Sequence, residues 1–459
     1  MNTEDKETVR LILNGINVTN TSSSPLYISN AKKTIIILAD NATNYLTDSA
    51  NYVFIDGVKE PNATLFSHDD FTIYGSGALI VDANYNDGIA SKDGLVIANG
   101  TINVDATDDG IKGKDYMVIK DGNFTITAEG DAIKASNNED LNGGWIQIES
   151  GTFNITAVGE GIIAESALEI KYGNFTIQTG GGKNSFLSTD DSAKGIKSTS
   201  GFLIEDGIFN INSSDDCIYS SNDLTINKGN FFLETGDDAI HSDETIVING
   251  GEINITDAIE GIESPNITIN DGDFYLKTSD DAINAAGGEN NYLYINGGYL
   301  VIDASGDGLD SNGDMFMTGG TVIVNGPTAQ DNSPIDADGT FKLDGGFLIA
   351  SGYGSTMDHG GNTTSNQNSV VVTLSSTQSA GSLFHIEDSS GNTMVTFKSE
   401  KNYKSMVFSS AAFINGTYKI YLGGSSTGTE TDGVYENGTY SSGSLFKEFT
   451  VSSAVTSVN

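Results

Sequence analysis

DDAIHSDETIVINGGEINIT, residues 237 to 256, places three short apolar segments between Gly, Asn and Asp. Short runs rich in Ile and Val, bounded by turn-forming residues, read as strands. Three of them fit into about twenty residues here, too few for helices or long hairpins. The opening of the stretch also returns along the chain: DATDDGIKGKD at 105–115, SSDDCIYSS at 213–221 and TSDDAINAA at 278–286. With the isoleucine of this motif as anchor, equivalent positions are Ile89, Ile111, Ile133, Ile162, Ile196, Ile218, Ile240, Ile262, Ile283, Leu309 and, more loosely, Ile335. Five of the ten intervals are 22 residues and one is 21; the others are longer, as insertions would make them. A repeat of this length with three strands is one coil of a parallel β-helix.

The flanking columns agree. The residue before the anchor is small throughout (Gly88, Gly110, Ala132, Gly161, Gly195, Cys217, Ala239), and so is the residue two after it (Ser91, Gly113, Ala135, Ala164, Ser198, Ser220, Ser242). Strand side chains alternate, so anchor and anchor-plus-two face the core, and anchor-plus-one is expected to face solvent. The parallel β-helix is expected over residues 1–350, with irregular first coils to about residue 85. From 351 to 459 longer alternating strands with hairpin-like turns suggest a C-terminal antiparallel β module, or a cap over the last coil's edge.

Composition narrows the function. The chain has 459 residues, 37% of them hydrophobic, with 55 Gly and 5 Pro, as expected of many short strands and few long helices. A formal charge of −40 argues against nucleic acid and anionic membranes as partners, because phosphate binding needs a cationic surface. It favours divalent cations. No apolar run is long enough for a membrane span, so no membrane insertion is expected. A strand pattern starts within a few residues of Met1, and the start reads as a trimmed boundary that an export signal preceded. Cys217 is the lone cysteine, which excludes internal disulfides and a thiolate cage and suits a small buried side chain.

Two residues before the anchor, nine of ten positions are acidic: Asp87, Asp109, Asp131, Glu160, Asp216, Asp238, Glu260, Asp281 and Asp307, with Lys194 as the exception. Asp108, Asp215, Asp237 and Asp280 add second carboxylates. Successive coils lie about 4.8 Å apart, where two charges repel by roughly 0.9 kcal/mol even in water. One explanation is turn chemistry, since Asp bonds nearby backbone N–H groups at corners. Turn chemistry would use Asn interchangeably, yet the column contains none and twice uses Glu. The other explanation is calcium, which takes six to eight hard oxygen ligands in flexible geometry. Four dispersed His and one Cys do not suit zinc.

The stretches NGINVTNTSSSPLYI (14–28), EPNATLFSHDDFTIYGSGALIVDANYNDGIASKDGLVI (60–97) and DDGIKGKD (108–115) together resemble a family of secreted, mainly clostridial carbohydrate-binding domain-containing proteins. What the resemblance implies is a right-handed parallel β-helix containing calcium, similar in architecture to pectate lyases, that binds acidic plant polysaccharide such as polygalacturonate (pectin). The individual calcium ligands do not follow from it; the thirteen acids named above are candidates.

Candidate ligand-binding residues are Lys112, Lys114, Lys134, Lys194 and Lys197, which cluster on neighbouring coils beside the acids. They could meet successive uronate carboxylates, or simply compensate the acid column. Two insertions, 136–144 and 179–194, fall in the same region. Trp145 and Phe186, in or beside them, could stack on sugar rings or pack locally. The expectation is a secreted or cell-surface, calcium-binding protein that recognises acidic polysaccharide without cleaving it. A calcium-dependent pectate or other polysaccharide lyase, and a surface adhesin or filament subunit, are the rivals.

Overall fold

The computed structural model describes residues 1, 8–54, 59–140, 142–186, 188, 192–354, 359–441 and 443–459. Among these the chain is strands and turns, with no helix, and hence none long and apolar enough to cross a membrane. Two compact units are present, Met1–Asp243 and Glu244–Asn459.

In the first unit every coil supplies one strand to each of three parallel sheets. Ile111–Gly113, Tyr116–Ile119 and Asn123–Ala128 form one coil, and Ile133–Ala135, Trp145–Ile148 and Thr152–Ala157 form the next. They pair in parallel, Ile111 with Ile133, Tyr116 with Trp145 and Asn123 with Thr152. The fold is therefore a parallel β-helix. The anchor isoleucines from Ile89 to Ile240 pair in one unbroken, fully buried register. Insertions do not shift it because they bulge at corners: Ala135 is followed by a loop to Trp145, and Thr179 by a loop to Ile196, yet Ile162 still faces Ile196. Pairing already begins at Thr8–Leu13, which lies against Lys33–Leu38 and through it Phe71–Gly75.

Close packing between coils explains the small columns. A Cβ on Gly110 would sit 2.6 Å from the Ala132 carbonyl oxygen and 2.6 Å from Ile126. At anchor-plus-two, Ser91, Ser198, Ser220 and Ser242 are buried and use their hydroxyls on turn carbonyls; Ser198 Oγ donates to Ser166 O at 2.7 Å and Gly201 O at 3.1 Å. On the third sheet Phe124, Phe153, Phe175, Phe209 and Phe231 stack with centroids 4.7–4.8 Å apart and planes within 4°. The glycine two residues before each phenylalanine makes room for the ring. Gly151 has φ +139°, and a Cβ there would lie 2.9 Å from Phe153.

The second unit continues the same pattern. Ile283 pairs with Leu309, while Tyr299, Thr321 and Phe347 occupy equivalent places on successive strands. Leu309 meets Ile335 only through an isolated bridge, where the repeat loosens. Parallel pairing ends at Phe347–Gly352, whose free edge Tyr403–Ser409 joins antiparallel; Ser369–Gln378 follows, and Val455–Val458 returns parallel to it. Leu383–Asp388, Thr393–Lys398, Gly416–Leu422 and Ser444–Val451 form an antiparallel sheet. Phe384, Phe397, Tyr403, Phe408 and Phe449 supply its core.

Candidate functional site

The corner before the anchor strand holds the acid column, and coil stacking determines what each carboxylate does. One oxygen accepts the backbone N–H of the equivalent residue on the next coil: Asp109 Oδ1 from Asp131 N at 3.1 Å, Asp131 Oδ1 from Glu160 N at 2.8 Å, and Asp216 Oδ1 from Asp238 N at 3.2 Å. These bonds help the column tolerate burial: Asp87, Asp109, Asp131, Glu160, Asp216 and Asp238 are all buried. A buried carboxylate needs such donors, and a cation besides.

In the first unit the cation comes from the chain itself. Lys112 Nζ lies 2.6 Å from Asp109 Oδ2 and 3.8 Å from Asp87 Oδ2. Lys134 is 2.6 Å from Asp131 Oδ2, and His241 Nδ1 is 3.0 Å from Asp238 Oδ2. Lys194, the interruption in the column, bridges Asp215 and Asp216 on the next coil at 2.6 Å each and lies 4.5 Å over the Tyr219 ring. Lys197 reaches back to Glu160 at 2.9 Å. The anchor-plus-one side chains do point out of the core, but these lysines fold back onto the corner. Ile163, in the same column, is buried outright. Among the described residues Lys114 makes no ion pair and is partly exposed.

The electrostatics follow from burial and pairing. Burial alone would lower the Lys134 ammonium, but Asp109 and Asp131 outweigh it and hold it above the ordinary lysine range. Lys112 and Lys194 are raised in the same way. Burial pushes Asp87 up to about 7, with Lys112 opposing and Asp109 and Asp108 adding to it. Asp216 is pushed up to about 6, mainly by burial.

Four sets of side chains bring possible ligand atoms within 4.8 Å of one another inside a single unit: Asp87, Asp108 and Asp109; Asp215, Asp216 and Asp237; Asp216, Asp238 and His241; and Asp281, Asp307 and Asp310. The first two have Lys112 and Lys194 against them, and the third contains a histidine. The fourth, in the second unit, has no ion-pair partner among the described residues. There Asp307 N donates to Asp281 Oδ1 at 2.5 Å, Ser333 N donates to Asp307 Oδ1, and Asp310 occupies the column position held in the first unit by Lys112, Lys134, Lys197 and His241 among others. Burial, with mutual repulsion, pushes Asp281 up to about 6 and Asp307 and Asp310 up to about 7. A Cβ on Gly306 would lie 2.3 Å from the Oδ1 atoms of both Asp280 and Asp281, so that glycine keeps the cradle open. Asp310 is the residue that sequence reading missed. Its signal was the anchor-plus-one column, where the sign of the charge changes from lysine to aspartate. Glu260 is engaged by Asn284 Nδ2 at 2.9 Å, and Asp280 is exposed.

Trp145 lies on a different sheet from Lys112 and Lys134. Its ring stacks on Tyr116 with centroids 5.1 Å apart and planes 12° apart. Tyr116 in turn lies across Gly94, where a Cβ would meet its Cζ at 2.1 Å. Beside the stack runs a groove of about 440 Å³, lined by Gln147, Glu169, Leu203 and Thr225 among others. Phe186 is fully exposed.

A family model described as carbohydrate-binding domain-containing protein matches residues 1–239 and again 237–367. A carbohydrate-binding domain-containing protein of Acetivibrio thermocellus is 48% identical over 97 residues, 21% of this chain, and the matched stretch spans 34% of that relative's length. Among solved structures, the polysaccharide lyase-like protein from C. thermocellum, studied as a gadolinium derivative, is 36% identical, with 45% of this chain and 76% of that one covered at a TM-score of 0.38.

Proposed function

Because the chain belongs to the carbohydrate-binding domain-containing protein family, we propose that it binds acidic polysaccharide such as polygalacturonate outside the cell, with calcium bridging its carboxylates to those of the glycan. The observation that carries this reading is the Asp281, Asp307 and Asp310 cluster: three carboxylates within 4.8 Å, held near neutral pKa, with no cation of the chain's own among the described residues. The donor set is all hard oxygen, which suits calcium, and an incomplete protein shell leaves positions open to a ligand. Calcium bound there would supply the positive charge and the free coordination positions that a uronate carboxylate can fill. A few-ligand, surface-accessible site is of the weak kind that extracellular calcium concentrations can load. In the first unit the paired lysines already satisfy their acids, which leaves Lys114 and the Trp145–Tyr116 stack as places for direct glycan contact.

Cleavage is not part of this reading. A β-elimination base must lose its proton near working pH, and Lys112, Lys134 and Lys194 are held protonated by their aspartates. Affinity electrophoresis in polygalacturonate gels tests the proposal. Retardation with calcium, abolished by chelator and weakened at least tenfold in Asp307→Asn with Asp310→Asn, is expected. Equal mobility with and without calcium would sink it.

A further inference from the structure

The second unit contains a separate cleft of about 470 Å³ that the acid column does not reach. One wall is the outward row of the third sheet, where Tyr299, Thr321 and Phe347 occupy the same register place on three successive strands, with Ile323 at the floor. The other wall is the hairpin of Thr429–Thr431 and Val434–Glu436, which contributes Thr431, Val434 and Glu436. Asp432, at its turn, takes φ +47°, unusual for a residue with a Cβ, and its Oδ2 accepts the Tyr299 hydroxyl at 2.6 Å. That bond ties the hairpin tip to the sheet and keeps the cleft formed without a ligand. Tyr275, two residues along the preceding strand from Tyr299's partner Asp273, lies 6.5 Å from Tyr299 and is 39% exposed.

We propose that this cleft is a second glycan site, one for an uncharged oligosaccharide. Tyr299 and Phe347 lie two strand spacings apart, roughly 9.6 Å, comparable to a disaccharide in an extended chain, and both line the cleft with aromatic rings, partly buried against the neighbouring core, of the kind that packs on the C–H side of a sugar ring. The polar groups in and beside the cleft are hydroxyls and carboxylates, namely Thr321, Thr431, Glu436 and Asp432, which accept hydrogen bonds from sugar hydroxyls. No Lys, Arg or His is among the lining residues. A uronate would therefore meet only like charge there, whereas a neutral chain meets acceptors and rings. The carbohydrate class is shared with the function proposed above; the site, its charge preference and its independence of calcium are not.

Isothermal titration of the full chain with cellohexaose, xylohexaose, mannohexaose and hexagalacturonate, all in excess chelator, tests this. At least one neutral hexasaccharide should saturate and hexagalacturonate should not, and Asp307→Asn with Asp310→Asn should leave neutral binding unchanged. Thr321→Trp, which fills the cleft from the sheet side, should weaken it at least tenfold. Thr431→Trp, on the exposed hairpin, should do the same and replaces it if the first variant melts abnormally. The proposal is overturned if no neutral hexasaccharide binds, or if binding survives both substitutions. It is also overturned if hexagalacturonate is the cleft's ligand, or if the substitutions abolish only a concentration-dependent dimer, which would assign the surface to a second copy. Loss of calcium-dependent polygalacturonate binding with neutral binding intact would count against the first proposal alone.

Discussion

Asp307 and Asp310 differ from Asp109 and Asp131 in one respect that matters: what faces their outer oxygens. Lys112 and Lys134 neutralise the latter pair, and nothing the structure describes neutralises the former. Burial raises Asp281 to about 6 and Asp307 and Asp310 to about 7, against about 4 for an unperturbed carboxylate. Groups with raised folded pKa hold more protons folded than unfolded, so stability falls as pH rises from about 4 to about 7 and then levels off. Asp87 and Asp216 act in the same direction. In chelator the protein should therefore melt higher at pH 5 than at pH 8. Asp307→Asn with Asp310→Asn should flatten much of that slope, and calcium at pH 8 should raise the wild-type melting temperature but not the variant's. A wild-type melting temperature that climbs from pH 5 to pH 8 in chelator would contradict this. Lys134 gives the converse case. Lys134→Ala leaves Asp131 Oδ2, nearly buried, without its cation, and should cost about 1–3 kcal/mol in a urea titration. Lys114→Ala should change stability by less than about 0.5 kcal/mol.

At the scale of elements, the stack from Phe124 to Phe231 makes neighbouring coils interdependent, because Phe153, Phe175 and Phe209 are each covered by the rings above and below. Phe175→Ala removes a central ring and leaves a cavity open on both sides, so a loss of about 3–5 kcal/mol is expected. A loss below about 1 kcal/mol would mean that the coils collapse onto the gap. This element was legible in the sequence only as part of a pattern. The anchor isoleucines and their small neighbours place every coil, because parallel in-register stacking converts a 22-residue spacing directly into a contact. The insertions were legible for the same reason, as departures from that spacing. What the spacing does not contain is where a long side chain ends. Lysine at anchor-plus-one points outward in any register, yet whether its ammonium reaches a ligand or returns to Asp109 depends on a carboxylate three residues back and on the coil below. Trp145 begins a strand of a different sheet from Lys112 and Lys134 because a corner insertion lies between Ala135 and it. Asp310 was passed over because the anchor-plus-one column was weighed only for its lysines, and the acid at Asp310 shows as a charge with no counterpart only once it is set beside Asp281 and Asp307.

For the whole molecule, the formal charge of −40 sets how a polyanion can approach. If lysines led recognition, added monovalent salt would screen an attraction and slow association. If calcium bridges two polyanions, the long-range force during approach is repulsive, the attraction is confined to the bound metal, and screening assists the encounter. The two cases therefore differ in sign. At fixed free calcium, the association rate constant for polygalacturonate fragments should rise as sodium chloride increases from about 10 mM to about 100 mM, where the screening length falls from roughly 30 Å to roughly 10 Å. The dissociation rate should change little over that range, since contacts between metal and carboxylate lie well inside the screening length. Neutral hexasaccharides, which carry no charge to screen, provide the control and should associate at the same rate throughout. Stopped-flow measurement of both classes resolves the question, and association with polygalacturonate that slows steadily with salt would assign the encounter to the lysines.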